Sequence, residues 1–159
     1  FNRRVVFEAL DEAMEKANES QEREFTTIMF DIDFFKQVND TYGHAGGDAV
    51  LISFAKLLET EITSPNLVGR IGGEEFLAIL YLNQDQAAEF CKKLIIKIND
   101  NTVQFDGIDI KITSSGGVAF STETATSADL TNKADERLYE AKKSGRNRFK
   151  LIDSELVGD

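Results

Sequence analysis

The chain has 159 residues, 42% of them hydrophobic and 12 of them Phe, which is enough to bury a core without disulfides or metals. A formal net charge of −10 argues against indiscriminate binding to DNA, RNA or anionic lipid, because the overall field repels phosphate. There is no signal peptide and no apolar run long enough to cross a bilayer, so this piece is expected in the cytoplasm, although a membrane-spanning portion could lie outside it.

Val6, Leu10, Ala13, Met14 and Ala17 recur at helical spacing and predict an opening amphipathic helix. Phe25 to Phe30 is apolar and β-branched, reads as a strand, and runs into Asp31-Ile32-Asp33. Side chains alternate across a strand, so Asp31 and Asp33 would share one side if the extended conformation continues. Two acids at the mouth of a strand suit a hard cation such as Mg²⁺; they could equally end the strand and cap the next element. Residues 34–48 read as a loop rich in polar hydrogen-bonding groups. Leu51, Phe54, Ala55, Leu58 and Ile62 mark a second helix.

Leu67–Ile71 and Phe76–Tyr81 predict two short strands on either side of Gly72-Gly73-Glu74-Glu75. The two glycines are expected to supply the φ > 0 conformations of a tight hairpin. Adjacent acids at a turn repel and add nothing to strand pairing. The segment is therefore either a solvated acidic turn or a place where bare backbone meets a phosphate and carboxylates hold the phosphate's cation.

Ala87, Phe90, Cys91, Leu94, Ile95 and Ile98 form a third helical stripe, in which the single cysteine reads as a buried residue and not a catalytic thiol. Asp106-Gly107 is a turn signal between Thr102–Phe105 and the alternating Ile108, Ile110 and Ile112. Ser127 is a suitable N-cap for a last helix with Leu130, Ala134, Leu138 and Ala141 inward, and Gly145 is placed to end it. Taken alone, Lys142 and Arg146 read as cations complementing that helix's dipole. Arg148–Ile152 can form a closing strand. The order contains a β-α-β-β-α-β core of the α/β (α+β) class, with helices on one face of an antiparallel sheet and an extra hairpin.

Asp31-Ile32-Asp33-Phe34-Phe35-Lys36-Gln37-Val38-Asn39-Asp40, Tyr42-Gly43-His44, Gly47-Asp48, Gly72-Gly73-Glu74-Glu75-Phe76, Ala134-Asp135 and Lys142-Lys143-Ser144-Gly145-Arg146-Asn147 are separate motifs in a fixed order. On these residues the chain resembles the GGDEF family of diguanylate cyclases, in a Gly-Gly-Glu-Glu-Phe variant, from Asn2-Arg3-Arg4 to about Lys150. The resemblance implies an architecture similar to the palm of polymerases and nucleotide cyclases. It also implies one domain over residues 1–159, cut from a longer regulated protein.

The activity implied is condensation of two GTP into cyclic di-GMP and two pyrophosphates, each 3′-hydroxyl attacking the other α-phosphate. Mg²⁺ or Mn²⁺ would serve, two ions per active half-site. By the same resemblance Asp31 and Glu74 are side-chain metal ligands, the carbonyl of Ile32 is a backbone ligand, and Glu75 organises or deprotonates the attacking hydroxyl. Asn39 and Asp48 match positions that contact the guanine edge. Phe34, Phe35 and Gly72 would offer backbone groups to the phosphates, and Lys36, Lys142 and Arg146 positive charge. His44 matches a loop-organising position.

Because one domain binds one GTP, the implied partner is a second copy of the domain, with no nucleic acid and no direct membrane contact. Two alternatives stay open: a non-catalytic module that binds GTP or a cyclic dinucleotide, and a cyclase of broader base preference, against which Asp48 speaks. One departure concerns product feedback. Where many relatives carry an Arg-x-x-Asp motif, this chain has Thr63-Ser64-Pro65-Asn66, and weak or absent inhibition by cyclic di-GMP through that position is expected. Tight cyclic di-GMP binding that a Thr63 or Asn66 substitution abolishes would refute this.

Overall fold

The computed structural model describes residues 1–152 and 155–158. Its helices are α1 (Arg3–Glu19), α2 (Phe35–Glu61), α3 (Gln84–Asp100) and α4 (Ser127–Lys143). Its strands are β1 (Thr26–Ile32), β2 (Leu67–Gly72), β3 (Glu75–Leu80), β4 (Val103–Phe105), β5 (Ile108–Ile110), β6 (Ser114–Phe120), β7 (Arg148–Lys150) and β8 (Leu156–Gly158). Six strands form one sheet in the order β2-β3-β1-β6-β7-β8, and β4-β5 is a separate hairpin. All neighbours in the main sheet are antiparallel except β6 and β7.

β1 is the centre, and both of its faces are buried, as the unbroken burial of its seven residues requires. Ile28, Phe30 and Ile32 face a core completed by α2 and α3, where Phe30 meets Phe54 and Phe149 edge-on at 6.3 and 5.7 Å between ring centroids. Met29, on the opposite face, packs with Val6, Leu10 and Met14 of α1 and with Leu130, Ala134 and Leu138 of α4. The two helices of the β-α-β-β-α-β core thus share one face, as expected from sequence. α1 and α4 cover the other face, so the sheet is flanked on both sides.

The last strand of that core is β6, a segment the sequence reading assigned to no element, while Thr102–Phe105 and Ile108–Ile112 supply only the outlying hairpin, turning at Asp106 (φ 48°) and Gly107 (φ 75°). β6 carries no alternating apolar pattern because it is Ser-Ser-Gly-Gly-Val-Ala-Phe, yet all seven residues are buried. Gly117 has no room for a side chain: a Cβ there would collide with the carbonyl oxygen of Ala134 and the amide of Leu138. Helix α4 therefore lies backbone-close on the sheet.

Three boundaries also differ. Residues 35–48, read as a loop, belong to α2, whose inward side is Phe35, Val38 and Tyr42. The N-cap of α4 is Thr126 and not Ser127, since the Thr126 hydroxyl accepts from the Asp129 amide at 3.1 Å. β7 ends at Lys150, and β8 pairs with it on the outside. Cys91 is buried on α3, and burial pushes its thiol far above the ordinary range, as an inert core residue requires.

Candidate active site

The C-terminal end of β1 gathers the acids. Asp31 stands directly opposite Glu75 of β3, and the Ile32 amide donates to the Glu74 carbonyl at 3.3 Å. Residues 74 and 75, more than forty positions along the chain from Asp31, are brought beside it by the β2-β3 hairpin. The turn is a two-residue loop, Gly73-Glu74, closed after a register shift between Arg70 and Gly72. Only Gly73 takes a positive φ, 29°; Gly72 ends the strand in ordinary extended geometry, which corrects the expectation for the pair. Nothing lies within 4 Å of where a Cβ on Gly72 would stand, so its main chain is open to approach. Arg70, unassigned by sequence reasoning, fixes the loop by donating from Nε to the Gly73 carbonyl at 2.7 Å.

Asp31 is only 6% exposed, and one of its oxygens accepts from Lys142 Nζ at 2.6 Å. Burial pushes its carboxyl above the ordinary value; Lys142 pulls it down, and Glu74 and Asp33 add to the rise. Glu75 is raised first by burial, then by Asp31 and by Asp135 of α4. Lys142 reaches Asp31 because Ala134, Leu138 and Lys142 form one stripe of α4, seated against Gly117 two turns earlier.

Carboxylate oxygens in negative surplus are the donors a hard divalent ion takes, so Asp31 and Glu74 with the Ile32 carbonyl fit such an ion in chemistry. Among the described residues no three His, Cys, Asp or Glu side chains form a closed cage.

Asp33 does not share this role. Its carboxylate is 3% exposed and accepts from Thr113 Oγ1 and Ser115 Oγ, each at 2.6 Å, and from the Asn147 amide at 2.9 Å. Asp33 thus follows the strand end and does not cap α2, contrary to the capping alternative, while Asp31 faces the acids.

Next to the acids begins α2. Phe34 precedes its first turn with φ 56° and gives no side-chain cap, which leaves the first-turn amides, Phe35 and Lys36 included, free to meet an anion. The Phe34 ring is 52% exposed and lies under the Arg146 guanidinium, 4.6 Å from the ring centroid. Lys36 is exposed on the same turn.

Further along, Gly43 interrupts α2 with φ 76° and ψ 175°, folding residues 35–42 back against the remainder. Asn39 thereby meets Gly47, where a Cβ would collide with the Asn39 side-chain oxygen; in an unbroken helix, residues eight apart stand roughly 12 Å apart. Asp48, exposed, comes immediately after. Asn39 is thus brought beside Gly47, the residue before Asp48, and His44 sits exposed beside the bend. Asn66 is engaged structurally, its side-chain oxygen accepting from the Tyr81 amide at 2.8 Å.

The arrangement defines a palm-like α/β domain with an acid- and cation-lined strand end beside an uncapped helix, suited to a phosphorylated ligand. Over residues 1–148 it matches the family model described as "Diguanylate cyclase, GGDEF domain", and the chain belongs to that family. It is 39% identical to diguanylate cyclase A of Treponema denticola over 94% of this chain, though it spans only 42% of that relative's length. The GGDEF domain of YfiN from Pseudomonas aeruginosa superposes with a TM-score of 0.90 at 30% identity, covering 96% of each chain. The active GGEEF domain of a diguanylate cyclase from Vibrio cholerae superposes at 0.86, also 30% identical, over 97% of this chain and 98% of that one.

Proposed function

We propose that the chain is a single catalytic domain that condenses two GTP molecules into cyclic di-GMP and two pyrophosphates, the reaction taking place between two copies facing each other. The observation that carries this reading is the juxtaposition of Asp31 and Glu75 on neighbouring strands, with Lys142 on Asp31 and the uncapped start of α2 alongside. The relative from Vibrio cholerae is described as active with the same Gly-Gly-Glu-Glu-Phe turn, which supports catalysis over a purely binding role.

Asp31, Glu74 and the Ile32 carbonyl would hold Mg²⁺ or Mn²⁺, two ions per half-site, which supply Lewis acidity at the α-phosphate and toward the attacking hydroxyl. Glu75 takes the proton of the 3′-hydroxyl; burial and Asp31 move its affinity for protons upward, the direction that makes a better base. Asn39 and Asp48 hydrogen-bond the guanine edge. The amides at Phe34 and Phe35, the open main chain at Gly72, and the cations Lys36, Lys142 and Arg146 hold the triphosphate. Each domain brings one GTP, so the second nucleophile comes from the partner copy.

Product formation from GTP and Mg²⁺ over a range of protein concentrations tests this. Cyclic di-GMP per protein molecule is expected to rise with concentration. No product at any concentration, with GTP still bound and a dimerising segment fused, would overturn it.

A further inference from the structure

Asp33 follows directly on the strand that carries Asp31 and is employed quite differently. Its side chain is fully buried, and its acceptors are taken by Thr113, Ser115 and the Asn147 main chain, with Arg146 Nη1 at 3.9 Å. Three non-glycine residues in contact with it or next to it have left-handed backbones: Phe34 at φ 56°, Arg146 at 63° and Asn147 at 50°. Such conformations disfavour residues with a Cβ and persist only when the surroundings over-determine them. The Asn147 side-chain oxygen supplies no restraint, since Oδ1 is buried without a hydrogen-bond partner among the described residues. The Arg146 amide is held by the Ala141 carbonyl at 3.0 Å and the Arg146 carbonyl by Arg148 Nε at 2.9 Å, and Asp33 supplies the restraint at the last residue of the turn by accepting from the Asn147 amide.

We infer that Asp33 is a positioning residue: it clamps the 145–147 turn in its left-handed form and so holds the Arg146 guanidinium over Phe34, where it meets the nucleotide's triphosphate. This rests on the phosphate-binding reading of Arg146 given above. Without the clamp the turn relaxes toward ordinary backbone angles. Arg146, set by its own φ of 63° and by the stack on Phe34, then loses its place. Asn39 and Asp48 lie on α2 and are untouched by that movement, so the base should still bind.

The test compares two ligands on the full chain: the α,β-methylene analogue of GTP, by calorimetry, and guanosine, by NMR titration. Asp33→Asn and Arg146→Ala are each expected to weaken the analogue about tenfold or more, the loss of one charge-assisted contact, with guanosine affinity unchanged. The double variant should bind no more weakly than either single one, because both remove the same interaction. Losses that multiply in the double variant, or guanosine weakened as much as the analogue in Asp33→Asn, would overturn the positioning role while leaving Arg146 as a phosphate contact. Arg146→Ala binding the analogue as tightly as the parent would overturn both. Should Asp33→Asn fail to fold, Thr113→Val removes one 2.6 Å donor at constant shape; a smaller loss confined to the analogue supports the clamp, and an equal loss for both ligands refutes it.

Discussion

Replacing Glu75 by Gln should lower cyclic di-GMP synthesis by about 10²–10⁴-fold, the range over which a positioned general base acts, and at the same time make the metal-free domain more resistant to heat. The gain in heat resistance has its origin in the surroundings of this side chain. Folding raises the Glu75 pKa above 4.5 through burial and the carboxylates of Asp31 and Asp135. Between 4.5 and the raised value the native state holds more protons than the unfolded one, so stability falls as pH rises through that window. At neutral pH the ionised side chain is a standing penalty that Gln lacks. Melting curves in a chelator should show a higher Tm for the variant at pH 7, and the difference should vanish as pH falls below the ordinary glutamate value. A variant that keeps a tenth or more of the activity, or melts no later than the parent at pH 7, would contradict the role given to this side chain.

Gly47→Ala should weaken GTP binding about tenfold or more while leaving the melting temperature close to that of the parent. The added methyl would run into the oxygen of Asn39, the free end of a side chain, which can swing aside at small cost to the fold. In the proposed binding mode the same swing would take Asn39 away from the guanine edge. Discrimination between GTP and ATP should fall together with affinity, because one of the two groups proposed to read the guanine edge has moved, leaving Asp48 to read it alone. A large drop in Tm with selectivity intact would mean that Gly47 serves packing alone, its methyl reaching Phe35 at 3.3 Å instead of displacing Asn39.

Much of this was legible in the sequence, for identifiable reasons. The strands carrying Asp31 and Glu75 announce themselves through apolar runs, and their acids through spacing. β6 does not: a central strand pressed between Phe149 and the backbone of α4 needs Gly116 and Gly117, the residues that weaken any strand signal. The first half of α2 was hidden differently, since its polar composition resembles a loop, although Phe35, Val38 and Tyr42 already repeat at helical intervals. Only the family resemblance singled out Asp31, and the division of labour between Asp31 and Asp33 was not readable from spacing. It depends on Thr113, Ser115 and Asn147, which lie about eighty or more residues away and meet Asp33 only once the sheet has formed.

The bare contact between α4 and β6 has a mechanical meaning. Where side chains separate a helix from a sheet, the helix can slide as they change rotamer; at Gly117 there is no such cushion, and backbone rests on backbone. Lys142 is rooted in that helix and Ser115 in that strand, so the cation on Asp31 and the hydroxyl on Asp33 travel as parts of one rigid block. A block of this kind is poorly suited to being switched by internal rearrangement. For the proposed reaction between two copies, control over it is more naturally exercised from outside, by how often and at what angle two intact domains are presented to each other.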